Sequence, residues 1–148
     1  MRSRMTNYLQ LVVLISGFIY IIVGTLFFLT PISIAHIFNL DISEEWLNVI
    51  PNNELFFIVF TVSRGFAALQ ISTGLAMILP LFDPLRYRQL IYYTGVLFPA
   101  LISALFTSAL ITNYNKVILF LLIIYVVIGL LTASGLYITV KNARNGVE

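Results

Sequence analysis

The amino-acid sequence predicts an all-α fold, a four-transmembrane-helix bundle with a short amphipathic external loop between helices 1 and 2. Hydrophobic residues make up 60% of the 148 residues and charged residues only 9%, whereas soluble domains carry about 25% charge. The apolar residues also form four runs, and about 20 residues at 1.5 Å each cross a hydrocarbon core of about 30 Å. We therefore expect one integral membrane domain over residues 1–148.

The first span is predicted over residues 8–29, a run without charged residues. Arg2 and Arg4 precede it and Ser33-Ile34-Ala35 follows it, as around a cleaved signal peptide. The run is longer than the roughly 7–15 apolar residues of such a peptide. A retained transmembrane helix is therefore expected.

The segment 30–53 is polar at intervals and predicts the external loop. Thr30-Pro31 is typical of a helix start, and Ser43-Glu44-Glu45 places acids near a helix N-terminus. Two short interfacial helices are expected here. Trp46 would then lie at the level of the lipid headgroups.

Three further spans are predicted, at residues 55–79, 89–112 and 117–140. The polar and proline-rich segment 80–88 separates the second span from the third, and residues 113–116 form the next turn. Pro99 lies inside the third span and has no N–H. A kink is therefore expected there, with the carbonyl of Gly95 released from its helical hydrogen bond.

The basic residues outside the spans predict the orientation of the chain. One side of the predicted topology carries Arg2, Arg4, Arg86, Arg88, Lys141 and Arg144. The other side carries Lys116 alone. Because Lys and Arg are retained on the cytoplasmic side, both termini are expected in the cytoplasm, with the chain in a bacterial inner membrane.

Arg64 is the one basic residue predicted inside a span. It lies nine residues from Leu55, the expected outer end of the second span, which is about 13.5 Å at 1.5 Å per residue. An arginine near the midplane costs about 2.5–3.5 kcal/mol on insertion scales. We therefore expect Arg64 to face the bundle interior and to bond to neighbouring helices.

A polar layer is predicted around Arg64. Counting nine residues inward from the expected outer end of each of the other three spans reaches three hydroxyl-bearing residues, Tyr20, Ser103 and Tyr125. Gln70 and Thr107 could extend this layer. Three interpretations remain open: a structural centre that ties the helices together, a site for an anionic or carbonyl-bearing ligand such as a quinone, and part of an ion pathway.

Small residues recur at helical spacing on all four spans. They are Gly17 and Gly24, then Gly65, Ala68, Ser72 and Ala76, then Ala100, Ala104 and Ser108, and finally Gly129 and Ala133. Such stripes allow helices to approach closely in lipid. They predict a compact bundle, and they suit contacts with a partner protein equally well.

No catalytic or metal site is predicted. The chain has no cysteine and a single histidine, which lies in the loop and excludes a triad within the membrane. His36 and the loop acids could act as metal ligands, but a solvated loop is the simpler interpretation. We expect no enzyme activity and no cofactor. The small net charge of +2 and its position at the span ends argue against nucleic-acid binding.

The run from Arg64 to Gly74 resembles the second helix of the DoxX-like small four-helix membrane proteins. The likeness is to an uncharacterised branch in which an arginine is followed by small residues and a Leu-Gln pair, here Leu69-Gln70. It covers the first two spans. The resemblance implies a four-helix bundle, associated in some relatives with quinone-linked oxidoreductases.

These observations predict a non-enzymatic integral membrane protein that acts as an accessory subunit of a larger membrane complex. Its partners would be the lipid bilayer and other membrane protein subunits. The alternatives are a binding module for a lipophilic carbonyl ligand or lipid, and a small transporter.

Overall fold

The computed structural model describes residues 4–29, 54–112 and 114–144. These ranges contain α1 (Arg4–Leu29), α2 (Glu54–Ile78), α3 (Arg88–Tyr92), α4 (Phe98–Thr112) and α5 (Lys116–Arg144). A 3-10 segment, Leu79–Phe82, extends α2, and a π-helical turn, Tyr93–Leu97, joins α3 to α4. Within these ranges no strand is formed.

Four stretches of these helices are long and apolar enough to cross a membrane. They are Asn7–Leu29, Phe60–Phe82, Arg88–Thr112 and Lys116–Arg144. The predicted fold class is therefore confirmed. The second span, predicted at residues 55–79, lies on α2 (Glu54–Ile78), and the two starts differ by one residue. The predicted loop at residues 30–53, with Trp46 and His36, lies outside the described residues.

The ends of the helices can be matched by their contacts. The Gln10 side chain donates a hydrogen bond to the Leu81 carbonyl, and Gly135 packs against Tyr8 and Leu9. The start of α1, the end of the second span and the last turns of α5 therefore lie together. We call this the basic end, because it carries Arg86, Arg88, Lys141 and Arg144. The other end, near Leu29 and Lys116, is called the opposite end.

Helices α1 and α2 form the closest pair in the bundle. A Cβ atom built on Gly74 would lie 2.7 Å from the Gly17 carbonyl oxygen, and one built on Gly24 would lie 2.9 Å from the Ala67 carbonyl oxygen. Glycine is required at these positions because the backbones themselves are in contact. The prediction that Gly17 and Gly24 allow close packing agrees with this geometry.

The third span packs against α5 through Gly95. A Cβ atom on Gly95 would overlap the Thr132 side chain and would lie 2.9 Å from Met77 Cε. Gly95 lies inside the π-helical turn that precedes Pro99. The expected distortion at Pro99 thus takes the form of a π turn, and it brings the third span against both α2 and α5.

Candidate functional site

Arg64 lies on the outside of the bundle. Its side chain is exposed, and its guanidinium carbon lies 3.9 Å from the centre of the Phe60 ring and 5.3 Å from that of Phe28. Cation–π contacts of this kind contribute about 0.5–1 kcal/mol at exposed sites. Arg64 is thus flanked by two aromatic rings on the lateral surface.

The expectation that Arg64 faces the bundle interior is wrong, because its side chain is exposed. Its expected depth stays a prediction, and α2 begins at Glu54, ten residues before Arg64. The rotation of α2 accounts for the direction. The line that faces the core is Ala67, Gln70, Gly74 and Met77, all of which are buried. Extended at helical spacing toward the start of α2, this line passes through Ser63. Arg64, the next residue, therefore lies outside it.

A polar centre does exist in the bundle, but it is built around Gln70. Tyr20, Gln70 and Tyr125 are each 0% exposed. The rings of Tyr20 and Tyr125 stack with centres 5.6 Å apart and planes inclined by 14°. Gln70 lies next to the Tyr125 hydroxyl, although these two groups do not reach hydrogen-bond geometry. Three of the six predicted residues therefore come together on three different helices.

The Tyr20 hydroxyl donates to the Thr94 carbonyl at 3.3 Å. This carbonyl is available because of the π turn. The N–H of Phe98 donates to the Tyr93 carbonyl, five residues back, and in the same register the next donor would bond to Thr94. The next residue is Pro99, which has no N–H. The Thr94 carbonyl, next to the predicted Gly95, therefore accepts a hydrogen bond from a side chain of α1.

Several buried polar atoms in the described ranges have no hydrogen-bond partner. They are both side-chain amide atoms of Gln70 and the hydroxyl oxygens of Ser63, Ser103, Tyr125 and Thr132. Buried polar groups are normally paired, and each exception needs an explanation. An amide and a phenol side by side can donate to and accept from a carbonyl, a hydroxyl or a water molecule.

The remaining predicted residues, Ser103 and Thr107, both lie on α4. Ser103 is half-buried. Thr107 is exposed, and its hydroxyl donates to the Ser103 carbonyl at 2.8 Å, so it does not reach the polar centre. Sequence reasoning missed Thr94 and Thr132. Pro99 was a signal for Thr94, because a proline in a span releases a carbonyl one turn earlier.

The outward side of α2 forms a second polar feature, which we call the small-residue face. It consists of Thr61, Gly65, Ala68 and Ser72, all exposed. A Cβ atom built on Gly65 would meet nothing within 4 Å. Arg64 borders this face. The stripe predicted on α2 therefore points away from the other helices, while the buried Gly74 makes the contact with α1.

The exposed side of α1 has the same spacing but a different composition. Its residues are Leu11, Ile15, Phe18 and Ile22, each at least half exposed. Large apolar side chains of this kind are expected where a helix faces lipid. The four residues of the small-residue face are smaller, although the exposed Val62 and Leu69 lie beside them.

No group of three or more His, Asp or Glu within the described ranges could hold a metal ion. His36 and the loop acids lie outside those ranges. No protein-family model matches the chain, and neither a curated protein nor a solved structure matches it. The resemblance to DoxX-like proteins stays a prediction.

Proposed function

We propose that the chain is a non-enzymatic accessory subunit of a larger membrane complex, and that it binds a partner through the small-residue face of α2. One observation carries the proposal. Thr61, Gly65, Ala68 and Ser72 are exposed on a helix that otherwise packs mainly against α1. Small residues allow another helix to approach closely, which is the main source of helix association in lipid.

The position of Arg64 beside this face indicates the chemistry of the partner. A guanidinium has five N–H donors and no acceptor, and the described residues surround it with aromatic rings. A transmembrane helix that offers a carboxylate or a free carbonyl near the opposite end would complement it. The occupant proposed for this face is therefore a helix of another membrane protein.

The proposal includes the orientation of the chain. Six basic residues outside the spans lie on one side of the predicted topology and Lys116 on the other, which favours cytoplasmic termini in a bacterial inner membrane. The resemblance to DoxX-like proteins, some of which are associated with oxidoreductases, is a further argument for an accessory role.

The proposal can be tested with the full chain, purified in mild detergent and measured by native mass spectrometry. Wild type should carry a second protein in fixed stoichiometry. Gly65→Leu and Arg64→Leu should both lose it, because one blocks the close approach and the other removes the charge. Phe18→Ala, on the exposed side of α1, is the matched control and should retain it.

Three outcomes would contradict the proposal. The first is a wild-type chain that is alone, and the second is a chain bound only to another copy of itself. The third is a partner that survives Gly65→Leu and Arg64→Leu, which would place the interface elsewhere. Folding of each variant can be checked by its thermal transition, which should not fall for Gly65→Leu since a Cβ atom at this position meets nothing within 4 Å.

A second candidate function is the binding of a lipophilic carbonyl compound such as a quinone. The observation that favours it is the pair Gln70 and Tyr125, fully buried and without hydrogen-bond partners. A carbonyl oxygen beside this pair would accept from the amide or from the phenol. Arg64 lies on the outside of the bundle and has no part in this site.

Organic extraction of the purified protein tests this second candidate. A quinone should co-purify with wild type and with Arg64→Leu, and it should be lost in Gln70→Leu. Wild type without a co-purifying carbonyl compound would exclude the candidate. The small transporter stays a prediction that no observation on the described residues favours.

A further inference from the structure

A groove lies between the third span and α5 at the basic end. Its volume is about 530 Å³. The inner part is apolar and is lined by residues that include Val96 and Ala133, and the mouth is lined by Lys141 and Arg144. Tyr92 and Tyr137 lie between these two parts. The groove thus changes along its length from apolar to aromatic to cationic.

We propose that this groove binds an anionic phospholipid from the leaflet at the basic end. Ala133 and Arg144 are eleven residues apart on α5, about 16 Å along the helix axis. An acyl chain would occupy the inner part of this length, and the phosphate would lie at the mouth. The bound lipid would be held by its charge as well as by its chain.

The charges at the mouth determine which lipid fits. Lys141 and Arg144 are exposed in the last turn of α5, and no described carboxylate lines the groove. Basic pockets between transmembrane helices bind anionic headgroups, and clustered Lys and Arg residues attract them. A zwitterionic headgroup offers these two cations no net negative charge, so phosphatidylglycerol is favoured over phosphatidylcholine.

The two tyrosines support the same occupant. Tyr92 is 48% and Tyr137 is 68% exposed, and tyrosine is enriched where acyl chains meet headgroups because one end of the ring is apolar and the other is polar. Their position between the apolar and the cationic parts therefore marks the glycerol level of a bound lipid. This site is distinct from the small-residue face and does not depend on the proposed function.

The test is native mass spectrometry of the full chain in mild detergent, titrated with phosphatidylglycerol or phosphatidylcholine. Wild type should bind phosphatidylglycerol more tightly. Lys141→Gln and Arg144→Gln should each weaken that binding about fivefold and leave phosphatidylcholine binding unchanged. Arg86→Gln is the matched control, since it removes one exposed positive charge at the same end without touching the groove.

A third variant separates chain binding from headgroup binding. Ala133→Phe fills the apolar part of the groove and should weaken the binding of both lipids to a similar extent. Inorganic phosphate at matched ionic strength should not compete, because it has no acyl chain. The proposal is overturned if wild type shows no preference for phosphatidylglycerol, if Arg86→Gln weakens binding as much as Arg144→Gln, or if phosphate alone displaces the lipid.

Discussion

The amide of Gln70 is enclosed by the bundle with neither its donor nor its acceptor in a hydrogen bond. An unpaired buried polar group costs about 1–3 kcal/mol, whereas its replacement by an apolar group of similar shape can be neutral or stabilising. The stability of variants at position 70 therefore reports whether the amide is satisfied by something bound in the interior.

We expect Gln70→Leu to leave the thermal midpoint in detergent unchanged or to raise it, because the substitution removes the buried amide and keeps most of the volume. Gln70→Ala is the control, and the cavity that it creates should lower the midpoint. A clear fall for Gln70→Leu would show that the amide has a partner, such as a bound water molecule or the carbonyl ligand of the second candidate function.

The glycines of α2 give a second prediction. Gly74→Ala should destabilise the bundle by about 1–3 kcal/mol, as overpacking does, because its new methyl group would lie 2.7 Å from the Gly17 carbonyl oxygen. Gly65→Ala should be neutral or stabilising, since alanine favours a helix by up to about 1 kcal/mol over glycine. Unfolding by added SDS measures both. Equal effects at the two positions would contradict the described packing.

At the scale of a single residue, the sequence identified Tyr20, Gln70 and Tyr125 as candidates but placed Arg64 at their centre. The count of residues gave a depth along each helix, and depth carries no information on rotation. Ser63 and Arg64 are adjacent in sequence, and only the packing of α2 on α1 decides which of them faces inward.

At the scale of the helical elements, Pro99 affects the hydrogen bonding of the third span beyond its own position. Pro99 follows the π turn Tyr93–Leu97, and the carbonyl of Thr94 is used by the Tyr20 hydroxyl of α1. The sequence predicted a distortion at Pro99. It did not predict a π turn, in which Gly95 lies close to Thr132 and Met77.

A double-mutant cycle on Tyr20 and Pro99 tests this link. Tyr20→Phe in the wild-type background should cost about 0.5–1.5 kcal/mol, the net value of one hydrogen bond. In the Pro99→Ala background the new N–H can bond to the released carbonyl, so the cost of Tyr20→Phe should be smaller. SDS unfolding of the four proteins gives the coupling energy. Additive effects would show that Pro99 does not control this hydrogen bond.

At the scale of the whole molecule, hydropathy alone was sufficient to predict four spans, because the bilayer sets a length that each apolar run must meet. The rotation of each helix was not predictable in the same way. Large apolar residues suit both the core and the lipid, so Leu9 in the core and Leu11 on the outside give no contrast in a hydropathy profile.

Orientation is the property of the whole molecule that remains a prediction, and the absence of cysteine allows it to be measured without background labelling. Tyr114→Cys and Ala143→Cys place one exposed thiol at the opposite end and one at the basic end. Because basic residues are retained in the cytoplasm, a membrane-impermeant maleimide should label Tyr114→Cys in right-side-out vesicles and Ala143→Cys in inside-out vesicles. The cysteine-free wild type is the control for non-specific labelling. The reverse pattern would invert the topology, and labelling of each variant from both sides would exclude a single orientation.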